Sequence, residues 1–77
     1  MINLCPFCGS WIKPRLLDGI TTCSDCDRIF DCSEKNRFLA AAWACKKQHF
    51  VEEDSVCQIY ELSDQYKPLL KAYIKIA

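Results

Sequence analysis

The sequence predicts a small α+β domain: a β-hairpin unit in front, followed by two helices, or three if Pro68 divides the second. Three observations predict it. Two Cys-x-x-Cys pairs, Cys5/Cys8 and Cys23/Cys26, stand 14 residues apart. Composition changes at about residue 32: residues 1–32 hold five of the seven cysteines, both glycines and two of the three prolines, whereas residues 33–77 hold no glycine and 23 apolar residues out of 45. Behind that point, apolar residues recur at steps of three and four. A chain of 77 residues buries only roughly 60% of its unfolded surface and is marginal without a staple. The two cysteine pairs offer one in the form of a bound metal ion.

The front unit, residues 1–32, reads as two cysteine turns joined by a hairpin. Trp11–Leu17 is strand-like, and Asp18-Gly19 is a strong two-residue turn signal because both central positions favour positive φ. Ile20-Thr21-Thr22 is β-branched and returns the chain toward Cys23. Pro14 has no N–H to donate and belongs at a sheet edge or bulge. Arg28-Ile29-Phe30 reads as a short third strand. No internal repeat is evident.

Residues 33–77 read as a helical extension packed on the front unit. Asp31 or Ser33 offers the first helix a cap. Phe38, Leu39, Ala42, Trp43 and Cys45 form its apolar stripe, and Lys46 and Lys47 suit the dipole of its last turn. A turn is expected over Gln48-His49-Phe50-Val51. Glu52, Glu53 and Asp54 are acids at a helix start, and Ser55-x-x-Gln58 has the spacing of a capping box. Val56, Ile59, Ser63, Tyr66, Leu70, Tyr73 and Ala77 continue the period to the C-terminus, widened by Leu62, Leu69, Ile74 and Ile76. Lys71 and Lys75 would close that helix. Pro68 argues for a break near Ser63-Asp64, with a short helix restarting after it.

The chemistry lies in Cys5-Pro6-Phe7-Cys8-Gly9 and Cys23-Ser24-Asp25-Cys26. Two residues between cysteines let both sulfurs of a turn reach one ion, and two such turns complete a tetrahedron of thiolates at about 2.3 Å. Gly9 falls where the turn favours positive φ; Asp27 holds that place in the second turn. Four protein ligands leave no open position, so the site is expected to be structural. These residues resemble a zinc ribbon, in the Cys-Pro-x-Cys-Gly turn, the hairpin and the second Cys-x-x-Cys, over residues 5–26. The resemblance implies one zinc ion on Cys5, Cys8, Cys23 and Cys26, and contacts with protein or nucleic acid. A rubredoxin-like iron centre, and so an electron carrier, is the alternative. The closer spacing of the two turns and the unmatched aromatic core weigh against it. An odd number of cysteines and no export-like start (Met1 to Pro6 lacks a basic segment leading into a long apolar one) disfavour a disulfide framework and point to the cytoplasm. Cys32, Cys45, His49 and Cys57 have the residue types of a second metal site, but Cys45 and Cys57 lie on apolar stripes and read as buried thiols.

Charge and composition exclude several classes. No apolar run approaches 18 residues, so no membrane span is expected. Ten basic residues balance ten acidic ones, and four thiolates around a divalent ion would bring the chain to about −2. That disfavours nucleic-acid binding by bulk charge. A local contact remains open: alternation along the first strand puts Trp11, Lys13 and Arg15 on one face, either as a platform for single-stranded bases or as a solvated face with Trp11 packed on the helices. One histidine and no paired-carboxylate or phosphate-loop motif give no basis for an enzyme. Tyr66, Leu69, Leu70, Tyr73 and Ile74 crowd apolar area onto the last helix, a candidate surface for a larger protein complex or a homodimer. The function expected is a small adaptor or regulator, with transcription or other nucleic-acid-handling machinery as the analogy from zinc ribbons.

Overall fold

Each cysteine pair forms the turn of its own antiparallel hairpin. A computed structural model describes residues 2–15, 19–48 and 52–74. In it β1 (Ile2–Leu4) pairs with β2 (Trp11–Arg15), and β3 (Ile20–Thr22) pairs with β4 (Ile29–Asp31). The helices α1 (Glu34–Gln48), α2 (Glu53–Tyr60) and α3 (Lys67–Lys71) follow, with one 3-10 turn at Asp64–Tyr66 before the last. The α+β class, hairpins first and helices after, is the one expected. The pairing is different: the strands at Trp11 and Ile20 do not form one hairpin but belong to separate two-stranded sheets. Leu16, Leu17 and Asp18 of the expected turn lie outside the described residues. The cause is local, because each Cys-x-x-Cys turn reverses the chain within six residues and closes with its own backbone hydrogen bonds, which sets its flanking strands side by side.

The two hairpins repeat at a spacing of 18 residues, with Ile2, Cys5, Cys8 and Trp11 matched by Ile20, Cys23, Cys26 and Ile29. Their backbones match as well. Cys5 N–H donates to Ser10 O (2.9 Å) and Gly9 N–H to Cys5 O (2.9 Å); Cys23 N–H donates to Arg28 O (3.0 Å) and Asp27 N–H to Cys23 O (2.8 Å). Gly9 (φ 76°) and Asp27 (φ 60°) both adopt the left-handed conformation that closes the turn, and Asp is among the few non-glycine residues that tolerate it. The repeat is hard to see in the sequence because its identities reduce to one isoleucine and two cysteines.

The helices cover one hairpin far more than the other. α1 packs on β1, and Ile2 and Leu4 are fully buried in the core with Ala40, Ala41, Ala44 and Cys45. These small residues lie deepest on α1, whereas Phe38, Leu39 and Trp43 of the expected stripe are half-buried. Alanines let the helix backbone come close to the strand. Asp31 opens α1: its carboxylate accepts from Ser33 N–H (3.2 Å) and from Asn36 Nδ2 (3.0 Å). The expected Ser55/Gln58 capping box does not form, since α2 starts two residues earlier, after Glu52, with no side-chain cap. α2 ends where Glu61 turns left-handed (φ 53°), and Leu62 N–H reaches back to Cys57 O (2.8 Å). The break expected between α2 and the last helix is present, and α3 restarts with Pro68 in its first turn, where a missing N–H costs nothing. Lys67 holds the restart by bridging Asp54 (2.7 Å) and Asp64 (3.3 Å). The hydrogen bonds that its ammonium donates to those two carboxylates raise its pKa to about 12.

One side chain ties the layers together. Arg37 of α1 donates through Nε to Tyr60 O (2.9 Å), through one terminal nitrogen to Glu61 O (3.1 Å) and through the other to Cys32 O. It thereby donates to carbonyls at the end of α2 and at the exit of the second hairpin. Glu34 accepts from Ser63 N–H (2.8 Å), and Tyr60 Oη donates to Asn3 Oδ1 (2.8 Å). Charge-assisted bonds of this kind are worth about 1.5–3 kcal/mol each when their partners are left bare. Replacing Arg37 with Met should therefore lower the unfolding free energy by about 2–3 kcal/mol, measured by urea denaturation of the metal-loaded protein. Arg37→Lys should recover only part of the loss, because one ammonium cannot reach three carbonyls.

Candidate metal centre

The four expected ligands converge. The sulfurs of Cys5, Cys8, Cys23 and Cys26 all lie within 4.8 Å of one another. Cys5 Sγ is 3.6 Å from Cys26 Sγ, and Cys8 Sγ is 3.6 Å from Cys23 Sγ. A tetrahedron with metal–sulfur bonds of about 2.3 Å has edges of about 3.8 Å, so the sulfurs already stand nearly where one ion needs them. The site takes one pair of ligands from each hairpin. Cys5 and Cys23, the first of each pair, are buried, and Cys8 and Cys26 are half-buried.

The environment of the sulfurs is unequal. Phe7 N–H points at Cys5 Sγ (3.4 Å), an amide-to-sulfur contact within the turn. Burial nonetheless pushes the Cys5 thiol up to about 12, while the Ser10 hydroxyl and N–H draw Cys8 down to about 6. A divalent cation at the point where the four sulfurs converge would hold all of them as thiolates. The donor set therefore fits a metal ion, and four sulfurs fit zinc or iron alike.

The first turn is also fixed to the helices. A Cβ placed on Gly9 would meet the Trp43 indole at 2.6 Å, and Lys47 Nζ donates to Gly9 O (2.6 Å). Lys46 Nζ sits 5.0 Å from both the Trp43 and Tyr73 ring centroids. Of the two lysines expected to serve the helix dipole, Lys47 thus also holds the turn that carries Cys5 and Cys8, and Lys46 lies over the indole that packs on it.

The remaining residues singled out in the sequence fall elsewhere. Cys32, Cys45 and Cys57 are buried in the core, and burial, with the nearby Cys57, pushes the Cys45 thiol up to about 11. Among the described residues, the quartet is the group of ligands that comes together around one point; His49 lies outside them. Trp11 is 64% exposed rather than packed on the helices. Lys13 is exposed beside it on β2, and Ile12 turns inward; the Arg15 side chain lies outside the described residues. The apolar face expected over Tyr66, Leu69, Leu70, Tyr73 and Ile74 is divided. Leu70 is fully buried and Leu69 is 52% exposed. Tyr66 packs on Phe38 with centroids 5.0 Å apart, and Tyr73 and Ile74 lean on the core. Arg37, which no motif marks, was not foreseen, since its carbonyl partners come from two places far apart in the chain, Cys32 and Tyr60-Glu61.

No helix among the described residues is long and apolar enough to cross a membrane. Compared with protein-family models, curated proteins and solved structures, the chain finds no match.

Elemental analysis should give one transition-metal ion per chain, and Cys26→Ser should lose it. Metal affinity should fall as pH falls, because protons compete for the thiolates. Full retention of metal by Cys26→Ser would contradict the assignment. Gly9→Ala should cost at least about 1 kcal/mol from the left-handed backbone alone, and more from the indole. It should also change Trp43 fluorescence and speed metal transfer to a chromogenic chelator.

Proposed function

We propose that this chain is a non-enzymatic zinc-binding adaptor. One zinc ion on Cys5, Cys8, Cys23 and Cys26 rigidifies the paired hairpins, and the surface acts through contacts with a larger protein complex of transcription or other nucleic-acid-handling machinery. The observation that carries the reading is the closed four-sulfur site: four protein ligands leave a tetrahedral ion no position for water or substrate, which suits scaffolding rather than chemistry. Zinc is preferred to iron because the two turns are close in sequence. Buried thiols in number suit a reducing compartment, and so the cytoplasm. The assignment to that machinery follows from the zinc-ribbon resemblance. Trp11 and Lys13, exposed side by side on β2, favour a second reading in which the chain binds single-stranded nucleic acid directly.

Three measurements test this. The purified protein should be colourless and contain zinc; a red protein with charge-transfer bands would make it an iron electron carrier. In a pull-down from the native host, tagged protein should recover a defined complex, and Leu69→Asp should recover less of it. Leu69 is the variant of choice because Leu70 is a core residue whose replacement would unfold the chain. Recovery of no partner above a metal-stripped control would count against the adaptor role. Salt-sensitive oligonucleotide binding that is lost in Trp11→Ala would move the conclusion to the second reading.

A further inference from the structure

The two hairpins are equivalent in backbone but not in what lies over them. On the first, Ile2 and Leu4 are fully buried, and α1 packs on the strand that carries them. The equivalent positions of the second are Ile20 and Thr22, both exposed. The register pairs Ile20 with Asp31 and Thr22 with Ile29, so these four side chains share one face, while Thr21 and Phe30 point to the other. On that face Ile20 is 65% exposed and Ile29 70% exposed. With Phe7, Phe30, Asp31 and Asn36 they line a groove of about 350 Å³. Two isoleucines this exposed on a two-stranded sheet form an apolar patch of the kind that marks an interaction surface.

The charge of the second hairpin sets the sign of its partner. Asp31 lines the groove itself, and Asp25 and Asp27 are exposed in the turn of the same hairpin, against Arg28. That cation is engaged over the Phe7 ring, 5.1 Å from its centroid. Four thiolates around a divalent ion would add about two further negative charges to the paired hairpins. The first hairpin shows what such a face accepts: a helix presenting Ala40, Ala41 and Ala44, with Lys47 donating to the carbonyl of the left-handed residue Gly9. The equivalent carbonyl in the second turn belongs to Asp27, and the acids around it favour a cation there.

We propose that the Ile20/Ile29 face of the second hairpin docks a helix from a partner protein, one with a stripe of small apolar residues and lysine or arginine at its edge. This deepens the adaptor reading and rests on it: one hairpin is used to bind the chain's own helix, and its twin to bind another protein's. The chain's own α1 is already committed to the first hairpin, so a second copy has no equivalent helix to offer.

The test is a selection with free choice of charge. The full-length, zinc-loaded protein is panned against a display library of single-helix scaffolds with randomised surface positions. The selected helices should be basic with a small apolar stripe, and their amide shift perturbations should centre on residues 20–31. Ile20→Thr/Ile29→Thr should weaken them at least tenfold while keeping the metal content and melting temperature of the wild type. Asp25→Asn/Asp27→Asn should weaken them and flatten the salt dependence. Selection of acidic or neutral helices, of none, or of helices indifferent to the isoleucine pair would overturn the proposal. So would a dimer in sedimentation that dissolves in the isoleucine variant, or oligonucleotide shifts centred on the same face. The host pull-down separates this proposal from the adaptor reading. A complex recovered equally by wild type and the isoleucine variant leaves the adaptor standing and removes this surface. Failure to recover any complex removes the adaptor role, and the selection then reports on the surface alone.

Discussion

Four sulfurs held within 4.8 Å of one another are the constraint on which the front half of this molecule depends. Each hairpin is short: its strands run three to five residues, with only a few backbone hydrogen bonds between them. Isolated two-stranded hairpins are at best marginally stable in water. Among the described residues no strand pairing joins one sheet to the other, and the links between them include the sulfurs, the edge-on contact of Phe7 with Phe30, Arg28 over the Phe7 ring, and the chain. A metal ion at that point supplies roughly 10–16 kcal/mol of apparent binding energy in small zinc peptides. That exceeds what a groove-sized apolar contact could give, and it decides which effect sets the hairpin geometry. The left-handed residues at Gly9 and Asp27 follow from the same demand, because each turn must fold back tightly enough for both of its sulfurs to face one point.

The helices then break the symmetry that the metal creates. α1 covers the first hairpin closely because its buried face is alanine, and Gly9 leaves room for Trp43. Nothing comparable lies over the Ile20/Ile29 face of the second hairpin among the described residues; that hairpin meets the helical layer through Cys23, Phe30 and Cys32 in the core, through Asn36 on Asp31, and through Arg37 on Cys32 O. Arg37 has a larger part than a half-exposed arginine usually has. Its fan of donors joins the exit of the second hairpin to the end of α2, so the two halves of the chain share one hydrogen-bonded node rather than only an apolar contact. A cation also suits the place, since α2 ends there with its carbonyls pointing outward.

The parts of this arrangement that were legible in the sequence are those encoded locally. The cysteine spacing gives the metal site, the change of composition near residue 32 marks where strands yield to helices, and Pro68 with the polar Ser63-Asp64 marks the break. What was not legible depends on tertiary context. A strand such as Trp11–Arg15 can pair with either neighbour in sequence, and the Asp18-Gly19 signal says only that the chain turns. The first cysteine turn prevails, although the connection through Asp18-Gly19 is the shorter of the two, because its backbone hydrogen bonds from Cys5 N–H to Ser10 O and from Gly9 N–H to Cys5 O set its flanking strands side by side. The alanines of α1 are deeper than Phe38 and Trp43 because close approach to β1 rewards small side chains, a preference that a hydrophobicity pattern ranks the wrong way round. Arg37 looks like any surface arginine until three carbonyls converge on it. Likewise the exposure of Leu69 beside buried Leu70 depends on where α3 restarts, and a periodicity read through Pro68 places both on the same broad stripe.

These two levels bear differently on function. The metal site is specific in its ligands yet indifferent to partners, because a closed tetrahedron of sulfurs touches nothing outside the chain. Selectivity must then reside in side chains that the metal positions but does not use. On the first hairpin most such positions are spent inside the molecule: Ile2, Leu4 and the Gly9 carbonyl are all engaged by the helices. On the second, the equivalent positions face outward with an acidic surround. The sequence follows this difference in environment: where the first turn has leucine at the strand end the second has threonine, and where the first has glycine and serine after the cysteines the second has aspartate and arginine. Polar and charged residues suit a hairpin face that stays in water, whereas leucine suits one that is buried.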